Sequence, residues 1–390
     1  MNTPLRIGLL GLGQRGLQHL KALWLLQSEG LVKITTLADS FPVNLNDDKI
    51  KSFVPGYCQD NIKLTTSFEE LIIENRPDVL YLAIPPNLHH GELIKAAQMG
   101  INLFVEKPMS LYLDEALKME AAIKEACIYS AVGFQQRFEP RNEAVKEFLS
   151  DKRVVQANYT FHTPIEFHNV KHTPTETVGG PSNRIWTTSR AWTGTSAVEN
   201  GIHTLDLWRY WLGDVVWVQA NYVNRLPNEV IEGADNPHTY NIFFGFESGV
   251  IANMALSRLR RVYNSYLDHQ ILWNEGRLVL NQDKIVFYHY DGIYPPETLP
   301  DDSQICHSFN VTQVNDNLLD YSTLEISRNF LESIITQSPD SIRSPFSDAM
   351  NSLTAVIAAN VSDSMDGARI YLKDLLTDKK YAPHREKKYS

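Results

Sequence analysis

Short apolar runs alternate with longer amphipathic stretches through the first third of the chain. The runs predict strands at Leu5–Leu10, Val32–Ala38, Val79–Ile84, Ile101–Val105 and Tyr129–Val132. Stretches with helical spacing predict helices over Gln14–Gln27, Phe68–Glu74, His90–Met99 and Asp114–Ala126. This alternation is that of βαβ units around a mostly parallel sheet. After Pro140 the period changes. From Val154 to Tyr290 the chain is predominantly strand-like, with Tyr240, Ile242, Phe244 and Phe246 alternating, and with turn signals at Ser248-Gly249 and Glu275-Gly276. Helices near Asn315–Thr336 and Asp348–Asp363 and a short strand near Ile370–Leu372 close the chain. The expected fold class is α/β: a first domain around a mostly parallel sheet, then a second with a large, predominantly antiparallel sheet, the boundary falling at about residues 135–140.

The length of 390 residues agrees with two domains at roughly 150 residues each. A net charge of −10, spread along the chain, disfavours nucleic acid as a partner, which requires a concentrated basic surface. The one basic cluster, His384 to Lys388, reads as a solvated tail. No apolar run is long enough for a membrane span, and Met1 to Pro4 carry no secretory signature. Cys58, Cys127 and Cys306 lack metal or disulfide spacing, so a reducing, cytoplasmic setting is expected.

Gly11-Leu12-Gly13-Gln14-Arg15-Gly16 is a complete GxGxxG between a predicted strand and a predicted helix. Its glycines allow a tight turn, close approach of a pyrophosphate and close helix–strand packing. Asp39 ends the second strand, where a carboxylate accepts from ribose hydroxyls; its alternative reading is a helix cap. NAD is favoured, while Arg15 and Lys49 keep NADP open. Two further segments, Ala83 to His90 and Phe104 to Pro108, follow strands at the sheet's carboxyl edge, where ligands bind in such folds. On spacing alone Lys107 reads as a surface charge. Placed at a site, its ammonium stabilises a developing alkoxide.

These pieces, in this order, resemble the family of glucose-fructose oxidoreductase, inositol dehydrogenase and MocA. The resemblance rests on the glycine turn, on Pro86, Asn87 and His90, and on Glu106-Lys107-Pro108. It continues through Gly133-Phe134-Gln135-Gln136-Arg137-Phe138-Glu139-Pro140 and Glu199-Asn200-Gly201-Ile202-His203-Thr204-Leu205-Asp206. It implies a dinucleotide-binding Rossmann domain at residues 1–137, an α+β domain with an open-faced, predominantly antiparallel sheet at 138–390, and an NAD(P)-dependent oxidoreductase acting on a carbohydrate, sugar derivative or polyol, with Lys107 polarising the reacting oxygen, His203 as general base and Glu199 in support. It also implies a cofactor site of Gly11, Leu12, Gly13, Gln14, Arg15, Gly16, Asp39, Pro85, Asn87, His90, Glu106 and Lys107, and association into a dimer or tetramer through the second sheet. Three departures stand out: Glu199 where the family usually has Asp, Gly194-Thr195-Ser196 in place of a glycine run, and Gln136 in place of a basic residue, which leaves Arg137 alone there.

On a regular helix Glu199, His203 and Asp206 share one face, opposite Leu205, Trp208 and Leu212. A carboxylate and an imidazole four apart can touch, so Glu199 is expected to orient His203 and favour its protonated form. Phe161 to Trp192, with His162, His168, His172, Trp186 and Trp192, reads as a loop over a cleft suited to a sugar. Arg137, Trp186, Trp192, Asn200 and His203 are the expected substrate contacts, and no metal site is expected. Two alternatives remain: a glycoside hydrolase working through transient oxidation by bound NAD, and a non-catalytic dinucleotide or sugar sensor.

Overall fold

The computed structural model describes residues 3–164, 188–230, 233–259, 266–280, 285–289, 306–308 and 317–386. Six strands, β1 (Leu5–Leu10), β2 (Val32–Ala38), β3 (Lys63–Thr65), β4 (Val79–Leu82), β5 (Asn102–Val105) and β6 (Ser130–Val132), form one sheet in the order β3-β2-β1-β4-β5-β6. Every neighbouring pair is parallel. The strands are apolar on both faces because helices cover both. These include α1 (Gln14–Ser28), α2 (Asp47–Phe53), α3 (Glu92–Gln98) and α4 (Leu113–Glu125). The order reverses between β1 and β4, which opens a crevice at the strands' carboxyl ends. Neither β3 nor α2 was expected. Both are short, and α2 is largely polar, formed on the Asn46 side chain that accepts the Lys49 N–H at 3.0 Å.

Nine strands form the second sheet: β7 (Val154–Pro164), β8 (Val215–Val223), β9 (Thr239–Phe246), β10 (Ile251–Leu259), β11 (Tyr266–Trp273), β12 (Gly276–Leu280), β13 (Ile285–His289), β14 (Cys306–Ser308) and β15 (Ile370–Tyr371). Their order is β14-β13-β12-β11-β7-β10-β9-β8-β15. All neighbours are antiparallel except β7 and β10. The remaining long helices are α5 (Pro140–Leu149), α6 (Ile202–Leu212), α7 (Leu318–Ile335) and α8 (Phe346–Ser364). The expected alternation holds in β9, where Tyr240, Ile242, Phe244 and Phe246 are buried and Phe243 is exposed. The buried face lies under α6 and α8; the opposite face is open.

Although it follows the strands of the second sheet in sequence, α7 packs against the first sheet. Phe330 fills the core left open beside α1, with its ring 5.8 Å from Phe104 and 6.5 Å from Tyr81. Lys21 pairs with Asp320 at 2.7 Å and Glu29 with Arg328 at 2.6 Å. Farther on, the Ser344 carbonyl accepts the Val132 N–H at the edge of β6, at 2.8 Å. The chain thus returns to its first domain before it finishes the second.

Candidate active site

The glycine turn is built by steric necessity at two of its three glycines. Gly11 has φ +95°, and a Cβ there would stand 2.5 Å from the Ala83 carbonyl oxygen. At Gly16 a Cβ would stand 1.8 Å from the Gly11 carbonyl oxygen. Gly13 is different, since a Cβ there would meet nothing within 4 Å. The space it leaves adjoins the start of α1, which no side chain caps. Helical N–H groups without acceptors beside open space suit a pyrophosphate, so the residues present fit a dinucleotide.

Asp39 borders this turn. Its Oδ2 accepts the Leu12 N–H at 2.6 Å and Asn44 Nδ2 at 3.0 Å, and Oδ1 accepts the Phe41 N–H at 2.8 Å. Lys49 is buried and donates to the Leu12 carbonyl at 3.2 Å and to Asn44 Oδ1. Arg15 turns inward, donating to Glu106 Oε1 at 2.7 Å and to Gln18 and Thr323 at 2.9 Å each. Both cations considered for a ribose phosphate are therefore engaged within the protein.

In the segment after β4, Pro85 leads into a short turn of Pro86–Leu88. Asn87 is half-buried, and its Oδ1 is closed off from solvent without a partner. His90, expected at the cofactor, is exposed, because Gly91 at φ +102° starts α3 only at Glu92. The histidine that turns inward is His89, only 3% exposed.

Glu106 is also turned inward. Its Oε1 accepts His19 Nε2 at 2.6 Å as well as Arg15, and Oε2 accepts the Lys107 N–H at 3.2 Å. Burial alone would raise its proton affinity, but the Arg15 charge and the His19 bond outweigh it and hold the carboxyl far below the usual range. Burial and the Arg15 charge lower His19, so the pair is a carboxylate and a neutral imidazole. His19 was not anticipated. The available signal was an imidazole on the apolar face of α1, among Leu17, Leu20 and Leu23.

Lys107 crosses to the second domain. Its Nζ donates to the Glu199 carbonyl at 2.9 Å and to Glu199 Oε1 at 3.0 Å. Glu199 and Asn200 lie in a π-helical turn, Ala197–Gly201, that runs directly into α6. Gly201 lets this turn sit against Met254, whose Sδ would be 3.0 Å from a Cβ. His203 follows on the first turn of α6. It is half-buried, and its Nδ1 is shut away from solvent without a partner. Burial, then the Lys107 charge, push its pKa well below the ordinary imidazole value; Glu106 opposes this and Arg15 adds to it.

The expected Glu199–His203 pair is thus replaced by Glu199–Lys107. A π turn breaks the 100° steps that set the two on one face, and the ammonium is a stronger partner for a carboxylate than a neutral imidazole. Asp206 is likewise absent from this face. It is buried and accepts Arg137 Nε at 2.7 Å and Nη2 at 2.6 Å. Arg137 also donates to Asp348 and to the Arg343 carbonyl, which places it in a buried ion-pair network instead of at Lys107. A cleft of about 600 Å³ beside that network is lined by Arg137, Lys146, Arg209, Tyr210 and Arg343, and by none of Lys107, Glu199 or His203.

Phe161–Pro164, expected within a loop, continue β7 instead. His162 lies on the open face of the sheet, bonded to Ser257 at 2.8 Å and stacked on Tyr266. Trp192 is half-buried on a one-turn helix, Arg190–Thr193, packed against the Pro86–Leu88 turn. His168, His172 and Trp186 lie outside the described residues.

Comparison with known proteins matches this geometry to one family. Residues 5–134 match the oxidoreductase family with an NAD-binding Rossmann fold, and residues 153–279 match the GFO/IDH/MocA C-terminal domain. The chain is 24% identical to the scyllo-inositol 2-dehydrogenase (NAD(+)) of Bacillus subtilis, over 72% of this chain and 75% of that one. It is 26% identical to the myo-inositol 2-dehydrogenase of Thermotoga maritima, over 70% and 74%. The structure of a levoglucosan dehydrogenase in complex with NADH and L-sorbose superposes with a TM-score of 0.73 at 17% identity, over 95% of this chain and 99% of that one, which shows a shared fold. With both domains matched and the uncapped glycine turn in place, the chain belongs to the GFO/IDH/MocA family of NAD-binding oxidoreductases.

Proposed function

We propose that this oxidoreductase transfers a hydride between NAD and a hydroxyl-bearing carbon of a cyclitol, sugar or sugar derivative, in either direction. The observation that carries the reading is the convergence of Lys107 and Glu199, with His203 one turn on, at the carboxyl end of β5. An ammonium has three donors. Two point to Glu199, and the third is available to a substrate oxygen. His203, held neutral, accepts the hydroxyl proton as Lys107 stabilises the negative charge that develops on that oxygen. NAD, when bound, supplies the hydride acceptor; the Gly11–Gly16 turn, Asp39, Pro85 and Asn87 would hold it. Asn200, next to Glu199, and Trp192, on the one-turn helix beside the Pro86–Leu88 turn, are proposed substrate contacts. Arg137 is left out, because four of its five donors go to Asp206, Asp348 and the Arg343 carbonyl.

Support for an assembly comes from the open face of the second sheet. Phe243, Ile251, Leu259 and Tyr266 project from it, exposed, and such a surface is stabilised by a second copy of the chain. No described helix is long and apolar enough to cross a membrane. The assay that tests the function follows the absorbance of reduced nicotinamide against a panel of cyclitols and sugars. Turnover that survives both Lys107→Ala and His203→Ala would remove the assigned roles. Release of a sugar with no net cofactor reduction would favour hydrolysis through transient oxidation.

A further inference from the structure

Glu106 is among the buried charged groups that the proposed reaction leaves unused. It is 8% exposed and is fixed from several sides. Its backbone N–H donates to the Leu82 carbonyl on β4 at 2.9 Å. Its carboxylate rests on Gly133, just past β6, where a Cβ would stand 2.5 Å from Oε1. His19 and Arg15 hold Oε1 from α1, and the Lys107 N–H holds Oε2. Arg15 also ties in α7 through Thr323 Oγ1 at 2.9 Å. Burying a carboxylate is costly, and well-packed apolar groups serve a core at least as well. A purely structural part of α1 would therefore keep a leucine at position 19, as it does at 17, 20 and 23.

The connectivity indicates what the arrangement does. Arg15 belongs to the glycine turn itself and His19 follows one turn later on α1, while Lys107 is the next residue after Glu106. A shift of the start of α1 is thereby passed through one rigid carboxylate to the backbone of Lys107. We propose that Glu106, held by His19 and Arg15, is a positioning residue that couples the glycine turn to Lys107; this rests on the oxidoreductase reading above. It departs from the expectation that Glu106 and Arg15 serve the cofactor directly. In the pair, His19 donates through Nε2 and Glu106 accepts.

The test compares His19→Leu, His19→Gln and Glu106→Gln in the full-length protein. His19→Leu removes the donor, and kcat falls by about 100-fold, the scale of a misplacement near 1 Å, with NAD affinity and substrate KM little changed. His19→Gln restores an N–H at the same place and recovers most of that loss. Glu106→Gln keeps the shape packed against Gly133 and so folds even where the leucine variant does not. In it the NMR response of the Lys107 backbone amide to NAD, present in the parent protein, is lost, because the neutral side chain no longer ties His19 and Arg15 to the acceptor of that N–H. This last readout needs no turnover. A protein inactive on every sugar tested would end the functional reading and still decide this one. An unchanged kcat in folded His19→Leu, a loss confined to NAD affinity, or a Lys107 amide response to NAD that survives in Glu106→Gln overturns the proposal.

Discussion

Lys107 reaches across the domain junction and donates twice to Glu199, once to its carbonyl and once to its carboxylate. The extra methylene of Glu relative to Asp lets the side chain bend to the same ammonium that its own backbone already holds. Glu199 is therefore proposed to act through Lys107. Glu199→Gln is expected to keep the carbonyl contact, lose the ion pair and lower kcat/KM by about tenfold, about 1.4 kcal/mol. Steady-state rates against pH check this, because the acid limb set by His203 stays where it is.

His203 is held below its ordinary pKa by burial and then by the Lys107 charge. As the proposed base it works in its neutral form, so activity is expected to be full at neutral pH and to fall only as pH drops through that lowered value. The acid limb of kcat/KM in the direction of alcohol oxidation is expected well below the ordinary imidazole value of 6.5. His203→Ala removes the limb and about 10²- to 10⁴-fold of the rate. A limb at or above the ordinary value would show that another group is titrating.

The glycines of the turn are expected to separate by role. Gly13→Ala adds a methyl where the protein itself has nothing within 4 Å, so the fold is kept while NAD binding weakens by at least about tenfold. Gly16→Ala drives its methyl into the Gly11 carbonyl and costs about 1–3 kcal/mol of stability or more. Calorimetry for cofactor and thermal unfolding for the fold read the two effects independently.

Arg137 and Asp206 form a bidentate pair with almost no exposure. Arg137→Met leaves Asp206 buried without its main partner, and about 3–5 kcal/mol of stability is expected to be lost. Chemical denaturation measures this. A folded Arg137→Met protein with unchanged stability and a raised substrate KM would return Arg137 to the substrate site.

His269 is buried and accepts the Trp208 Nε1–H at 2.8 Å, and burial pushes its pKa down to about 3. The unfolded chain takes up this proton first. The stability contributed is therefore full above the ordinary value of 6.5 and is lost progressively as pH falls from there toward 3. Within that window this imidazole alone costs about 1.4 kcal/mol per pH unit, and His19, His89 and His203, also lowered, act in the same direction. Urea midpoints measured down through this range are expected to decline less steeply in His269→Gln, which keeps an acceptor for Trp208.

Much of the molecule was legible from local patterns. The alternation of apolar runs specifies β1, β2 and β4 to β6, because each is buried on both faces and can hold little else. The period-two pattern of Tyr240, Ile242, Phe244 and Phe246 specifies a strand with one covered face. The glycine turn carries its own steric argument, and Lys107, Glu199 and His203 stand in motifs that name them. What remained hidden depends on partners distant in sequence. Residue types do not reveal that Glu199 takes Lys107 and leaves His203 alone, since a π turn of five residues rotates the carboxylate. Nor do they reveal that Glu106 and Arg15 face each other around His19, that His89 and not His90 turns inward, or that α7 returns to the first domain. In each case a charged or apolar side chain had several possible partners, and the tertiary structure chose by which burial could be satisfied.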